Sequence, residues 1–255
     1  MTLLSFLSVF LLVFGRIVGF LVAAPLFSSK QLPAQHKLAL AAGLAYFASY
    51  AVKTDVRVED FDFFFRMGTE VLVGLALGLL ASFLLYAPQI AGSIIDLQMG
   101  LAMASAYDPM FGGQSPIVGR FYYMLTLLVL LASDMHLILL DGIYTSFQIF
   151  PPGSLLAVSG DAGMSLVIRV VGLAMLTALQ MAMPLVVSLF LVDLALGFLA
   201  KTAPQFNIFA IGFSVKLLMG YVILFLLAGA TITGIGRFVP LLQDVLADAI
   251  RLLGG

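Results

Sequence analysis

Residues Met67–Ser105 read MGTEVLVGLALGLLASFLLYAPQIAGSIIDLQMGLAMAS, and Glu70 and Asp96 are the only charges in that run. A membrane-crossing helix takes about 20 mostly apolar residues at about 1.5 Å of rise each. This segment is far longer than one crossing needs. Pro88 sits near its middle. Proline lacks a backbone N–H and its ring clashes with the preceding turn, so the segment is expected to be a kinked or broken helix, or a hairpin. A run of this length and apolarity points to an all-α integral membrane protein. Lipid offers the backbone no hydrogen-bond partners, and a helix satisfies its own.

Composition agrees. Hydrophobic residues make up 62% of the chain and charged residues 10%, with a mean hydropathy of +1.16. A soluble domain carries roughly 25% charged residues to cover its surface. The missing polar surface must be replaced by lipid or by other protein. A net charge of −1 provides no basic field for nucleic acid. There is no cysteine, hence no disulfide and no thiolate metal site. His36 and His136 stand far apart without ligand-like spacing, so neither a metal nor another cofactor is expected. The N-terminus is apolar almost from Met1 and lacks a basic leader region, so it reads as a first membrane segment rather than a removable signal.

Six apolar segments are expected. The first, Leu3–Phe27, is interrupted by Arg16. The second, Leu38–Val52, is rich in Ala and Gly and short for a span. The charged stretch Lys53–Arg66, KTDVRVEDFDFFFR, interleaves acids with phenylalanines and belongs at an interface. The third is Met67–Ser105. The fourth, Phe121–Phe150, is ended by Pro151, Pro152 and Gly153. The fifth, Ser165–Ala200, is again overlong, and Pro184 is expected to break it. The sixth is Ile208–Gly236. The tail, Arg237–Arg251, alternates apolar and charged positions at helical spacing and reads as a surface amphipathic helix. Pro88, Asp96 and Pro109 are faintly echoed by Pro184, Asp193 and Pro204. Basic residues are nearly balanced between the two sets of links, so charge bias gives no orientation.

Ionisable groups within apolar segments are expensive, and each is a functional candidate. Here they are Arg16, Glu70, Asp96, Asp134, Asp141, Arg169, Asp193 and Lys216. Pairing with one another or with partner subunits is their simplest fate. For Asp96 and Asp193 the candidate donors are Lys216, Arg120 and backbone N–H groups. No cluster of oxygen ligands surrounds either acid, so a bound cation is not expected. Pro88 and Pro184 are hinge candidates. Gly74 and Gly78 have the GxxxG spacing that lets helix backbones approach closely. Residues Ala106–Arg120 read AYDPMFGGQSPIVGR. Paired glycines give backbone freedom, and Met110 and Phe111 supply adaptable apolar mass. On spacing alone this loop is a gate or a plain connecting turn.

Four stretches together carry a resemblance: GRIVGFLVAAPLFSS; QIAGSIIDLQMGLAMASAYDPMFGGQSPIVGRF; DMHLILLDGIYTSFQIFPPG; and ALQMAMPLVVSLFLVDLALGFLAKTAPQFNIFAIGFSVK. In this order, covering essentially the whole chain, they resemble the FliR family, the R subunit of the flagellar type III export gate and its counterparts in virulence secretion. The QMG…DP…G.QSP pattern favours the flagellar branch.

The resemblance implies a single export-gate domain over residues 1–255. It would comprise a first helical group (1–105), a plug loop (106–120), a second helical group (121–236) and an amphipathic tail (237–255). It also implies a fold of long kinked helices and helical hairpins, similar to a P-type subunit fused to a Q-type subunit. One such chain would join several P-type and Q-type copies in a closed, right-handed helical ring, much of it lifted out of the bilayer plane. The implied partners are those subunits, a B-type switch subunit, exported unfolded flagellar proteins and membrane lipid. The implied location is the bacterial inner membrane at the flagellar basal body, with no catalysis. The family's plug maps onto Met110, Phe111, Gly112, Gly113, Gln114, Ser115 and Pro116. The competing reading from the residues is a small secondary transporter, for which broken helices, midplane acids and a faint repeat also speak. A transporter would be stable as a monomer or homo-oligomer, whereas a gate subunit would require different partner chains. An intramembrane enzyme has no supporting motif.

Overall fold

The computed structural model describes residues 3–28, 33–52, 62–101, 116–154, 160–203, 205 and 207–254. These residues are organised as helices throughout, in keeping with the all-α expectation: α1 (Leu3–Ala23), α2 (Ala34–Ala51), α3 (Phe63–Leu85), α4 (Ala87–Met99), α5 (Ile117–Ala132), α6 (Met135–Ile149), α7 (Gly160–Thr202), α8 (Ile208–Leu226), α9 (Ala228–Gly236) and α10 (Phe238–Gly254). Among them, three helical stretches are long and apolar enough to cross a membrane, or up to five if bent helix pairs count as single spans.

The breaks follow local chemistry more closely than hydropathy. The third segment breaks at Tyr86, and Pro88 lies in the first turn of the new helix, where its missing N–H costs nothing. The fourth segment is not one helix as expected. It divides before Asp134, whose φ of 54° is left-handed, a conformation that Asp tolerates better than most residues. The sixth also divides, at Leu227. The fifth corrects the expectation in the other direction. Pro184 lies inside an unbroken 43-residue helix, α7. The proline removes the helical donor to the Gln180 carbonyl, and the helix continues past it.

The chain forms two compact units. The first comprises Met1–Leu85, Leu131–Gly172 and Phe238–Gly255. In it α1 lies along α3 and α2, and α10 packs on α6 and α3. Glycine makes the α1–α3 contact possible. A Cβ on Gly74 would fall 1.9 Å from the Arg16 carbonyl oxygen, one on Gly78 2.7 Å from that of Phe20, and one on Gly19 2.3 Å from that of Val71. The backbones touch there, as the GxxxG spacing of α3 suggested. Leu12, Val13, Ile17, Phe20, Leu77 and Leu84 are buried alongside. The tail is amphipathic as read, but its apolar face is covered by protein. Phe238, Leu242, Val245, Leu246, Ala249 and Ile250 are all buried, and Leu246 rests against Gly142 of α6.

The second unit comprises Tyr86–Leu130 and Leu173–Arg237. In it α4 contacts α8, and α8 contacts α9. Met99 sits against Gly220, where an added Cβ would lie 2.6 Å from its Cε. α4 also meets α5, because a Cβ on Gly92 would lie 2.5 Å from the Gly119 Cα. The part of α7 in this unit buries a narrow stripe, Ala174, Ala178, Ala182, Leu185 and Leu189, at the 3–4-residue spacing of one helix face.

Candidate functional site

The plug residues Met110, Phe111, Gly112, Gly113, Gln114 and Ser115 lie outside the described residues, and Pro116 is the first described residue after them. What the structure describes is the pair of helix ends on either side. On the departing side α4 stops at Gly100, whose φ of 81° is left-handed and whose N–H is directed to the carbonyls of Asp96 and Leu97. Glycine adopts that φ without a Cβ penalty, which is why helices so often end on it. On the returning side α5 begins at Ile117, after Pro116. The first N–H groups of a helix have no partner within it, and proline has no side-chain acceptor to offer them. Asp96 supplies the acceptors from α4. Val118 N–H donates to Asp96 Oδ1 and Gly119 N–H to Asp96 Oδ2, each at 3.1 Å. Asp96 is 3% exposed. A carboxylate at a helix N-terminus also opposes the positive end of the peptide dipole.

Asp193, in the same unit, is held by two donors. Lys216 Nζ lies 2.9 Å from Oδ1 and 3.0 Å from Oδ2, and Gln98 Nε2 donates to Oδ2 at 3.1 Å. The cluster links α7, α8 and α4. Its ion pair is only half-buried, with the Lys216 side chain 21% and the Asp193 side chain 38% exposed. Arg120 joins neither acid. It was a buried-cation candidate and is exposed, because on α5 it shares the outer face with Ile117 while Val118 and Gly119 between them face α4. Pro88 is buried and Pro184 exposed.

Arg16 anchors a polar centre in the first unit. It is 0% exposed. Its Nε donates to Glu70 Oε2 at 2.6 Å, and Glu70 is equally buried. Its Nη1 donates to the carbonyl of Ser146 (3.1 Å), the Ser146 hydroxyl (3.1 Å) and the carbonyl of Phe150 (3.0 Å). These carbonyls belong to the end of α6, where the Ser146 carbonyl already accepts the Phe150 N–H at 2.9 Å, the Phe150 carbonyl lies past the last helical residue, and a cation is favoured. Phe147 and Phe150 lie against the guanidinium. Glu70 Oε1 accepts from Gly153 N–H at 2.8 Å, and Arg66 donates to the Gly153 carbonyl. The Pro151–Pro152–Gly153 turn is thereby tied to α1 and α3. Arg169 forms a separate, exposed pair with Asp248. Among the described residues no three His, Asp or Glu converge on a metal-sized site.

Two features were missed in the sequence. Gly15 and Gly19 have the same GxxxG spacing as Gly74 and Gly78, and Gly19 is in backbone contact with α3. The role of Asp96 left no such signal, because Ser115 before Pro116 reads in the sequence as a helix start that supplies its own cap.

Residues 7–240 match the model of the family described as bacterial export proteins, family 1. The chain belongs to this family. Similar proteins include the flagellar biosynthetic protein FliR of Bacillus subtilis, 38% identical over 96% of this chain and 95% of that protein. FliR of Escherichia coli is 33% identical over 85% and 83% of the two chains. The Yop proteins translocation protein T of Yersinia pestis is 23% identical over 78% and 76%. Membership in this export family sets the secondary-transporter reading aside.

Proposed function

We propose that this chain is the R-type subunit of the flagellar type III export gate, a multi-pass protein of the bacterial inner membrane at the flagellar basal body. It forms one export-gate domain and part of the pore wall through which unfolded flagellar proteins leave the cell, and it performs no catalysis. The observation that carries the reading is the near full-length relationship to FliR proteins, stronger toward the flagellar relatives than toward the Yersinia translocation protein. Its working neighbours are P-type and Q-type gate subunits, a B-type switch subunit and the exported chains.

Within that role Met110–Pro116 is the plug. Met110 and Phe111 exclude water at the constriction, and a dewetted apolar neck blocks ions without any charge. Gly112 and Gly113 lack the Cβ that restricts φ, so the same loop bends aside when a substrate passes. Deleting Phe111–Gln114 is expected to raise the resting permeability of cells to ions or small solutes while assembly survives. Replacing both glycines with proline is expected to slow export without a leak. Assembled gates that lack Phe111–Gln114 and remain as tight as the parent would reduce the loop to a connector.

A further inference from the structure

We propose that Asp96 is a positioning residue that fixes both ends of the plug-bearing segment. The inference rests on the plug reading above. Its basis is that a side chain in the last turn of α4 caps the start of α5, joining the two helix ends. The Gly100 N–H that closes α4 lies 3.2 Å from the Leu97 carbonyl oxygen and is also directed to the main-chain carbonyl of Asp96. The Asp96 side chain receives the Val118 and Gly119 N–H groups that open α5. In sequence, residues 102–115 lie between these two helix ends.

Three further observations make this a fixed arrangement rather than a passing contact. Both carboxylate oxygens are used, one per N–H, so the group's rotation is set as well as its position. The helix separation is set independently by the backbone contact of Gly92 with Gly119, which keeps α5 within reach of the Asp96 carboxylate. The Ser93 hydroxyl, which lies against the same glycine, donates instead to the Gln89 carbonyl at 3.0 Å and does not compete for the amides. Among the described residues no cation pairs with Asp96, and the two amides are the donors that hold it.

The test measures resting small-solute permeability of cells carrying assembled gates. Asp96→Ala and Asp96→Asn are made in the parent and in the Phe111–Gln114 deletion background. Export rate and amide hydrogen exchange of the purified complex are read alongside. Asp96→Ala is expected to raise the resting leak of the parent several-fold. Asp96→Asn, which keeps the shape and one acceptor, should raise it less. Neither should add to the leak of the deletion variant. Exchange at Val118 and Gly119 should speed up about tenfold or more, since two charge-assisted bonds are lost.

A tight, assembled Asp96→Ala gate beside a leaking deletion variant would overturn the proposal and leave the plug reading intact. A leak that adds fully to that of the deletion would also overturn it, because Asp96 would then act elsewhere. If the deletion variant itself is tight, the plug reading fails, and the claim that Asp96 fixes both ends of the plug falls with it. Unchanged exchange at Val118 and Gly119 in Asp96→Ala would refute the cap itself. Should Asp96→Ala fail to assemble, the same criteria apply to Asp96→Asn, whose loss of charge leaves packing untouched.

Discussion

Arg16 and Glu70 form a fully buried pair, and burying two charges costs several kcal/mol each before they attract one another. The arrangement is tolerable because Nε and Nη1 of the guanidinium and both carboxylate oxygens are used, while Nη2 has no hydrogen-bond partner among the described residues. The guanidinium also closes the end of α6 through the carbonyls of Ser146 and Phe150, and the carboxylate holds the Gly153 N–H. Removing one partner strands the other. Glu70→Gln is therefore expected to destabilise the folded complex by about 3–5 kcal/mol, read as lost thermal resistance in detergent. Arg16→Lys should be nearly as damaging, because an ammonium cannot reproduce the planar fork that reaches α3 and the end of α6 together. The double variant Arg16→Met with Glu70→Leu should cost clearly less than the sum of its single changes. Strict additivity in that cycle would show that the two charges do not work as a pair.

At the scale of the helix pair, α1 and α3 are held by backbone proximity that only glycine permits. Gly74 faces the Arg16 carbonyl so closely that an added Cβ has nowhere to go. Gly74→Ala must push the helices apart, and it displaces Arg16 from Glu70 in the same movement. Its expected effect is loss of assembled gate, measured as the fraction of the chain recovered in the complex. Gly43, in α2, has open space where a Cβ would stand. Gly43→Ala should be neutral or stabilising, since alanine favours helix over glycine by about 1 kcal/mol. Equal recovery of the two variants would mean that the α1–α3 contact does not need its glycines.

The whole chain leaves much apolar surface uncovered. Phe225 is 83% exposed, Leu226 74% and Phe198 71%, and only 7 of the 43 residues of α7 are buried. Lipid alone is a poor cover for all of this. The half-exposed Asp193–Lys216 pair would face hydrocarbon at considerable cost, and Gly172 and Gly197 present small-residue faces with nothing against them among the described residues, as helices awaiting a close neighbour do. The chain produced alone is expected to aggregate or be degraded, and co-production of P-type and Q-type subunits should rescue it. The check is size-exclusion chromatography in mild detergent, where a monodisperse, long-lived solo protein would contradict the expectation.

How far the sequence reached differs from residue to residue. The apolar runs made the protein an all-α membrane chain, because a backbone in lipid must satisfy itself and a scarcity of charge admits no other cover. The order of the quoted stretches placed it in its family. The GxxxG spacing of Gly74 and Gly78 announced a close helix contact, because three intervening residues return the chain to the same face of a helix. What hydropathy could not locate were the breaks at Asp134 and Leu227 or the continuity through Pro184, since these depend on backbone angles and on which neighbour accepts or donates a single bond. Nor could spacing pair Arg16 with Glu70 and the carbonyl of Phe150, or Asp96 with the amides of Val118 and Gly119. A buried charge requires a partner, and the sequence states that requirement. Which partner meets it depends on bonds of about 3 Å between residues far apart in the chain, and only the packing of the helices brings those together.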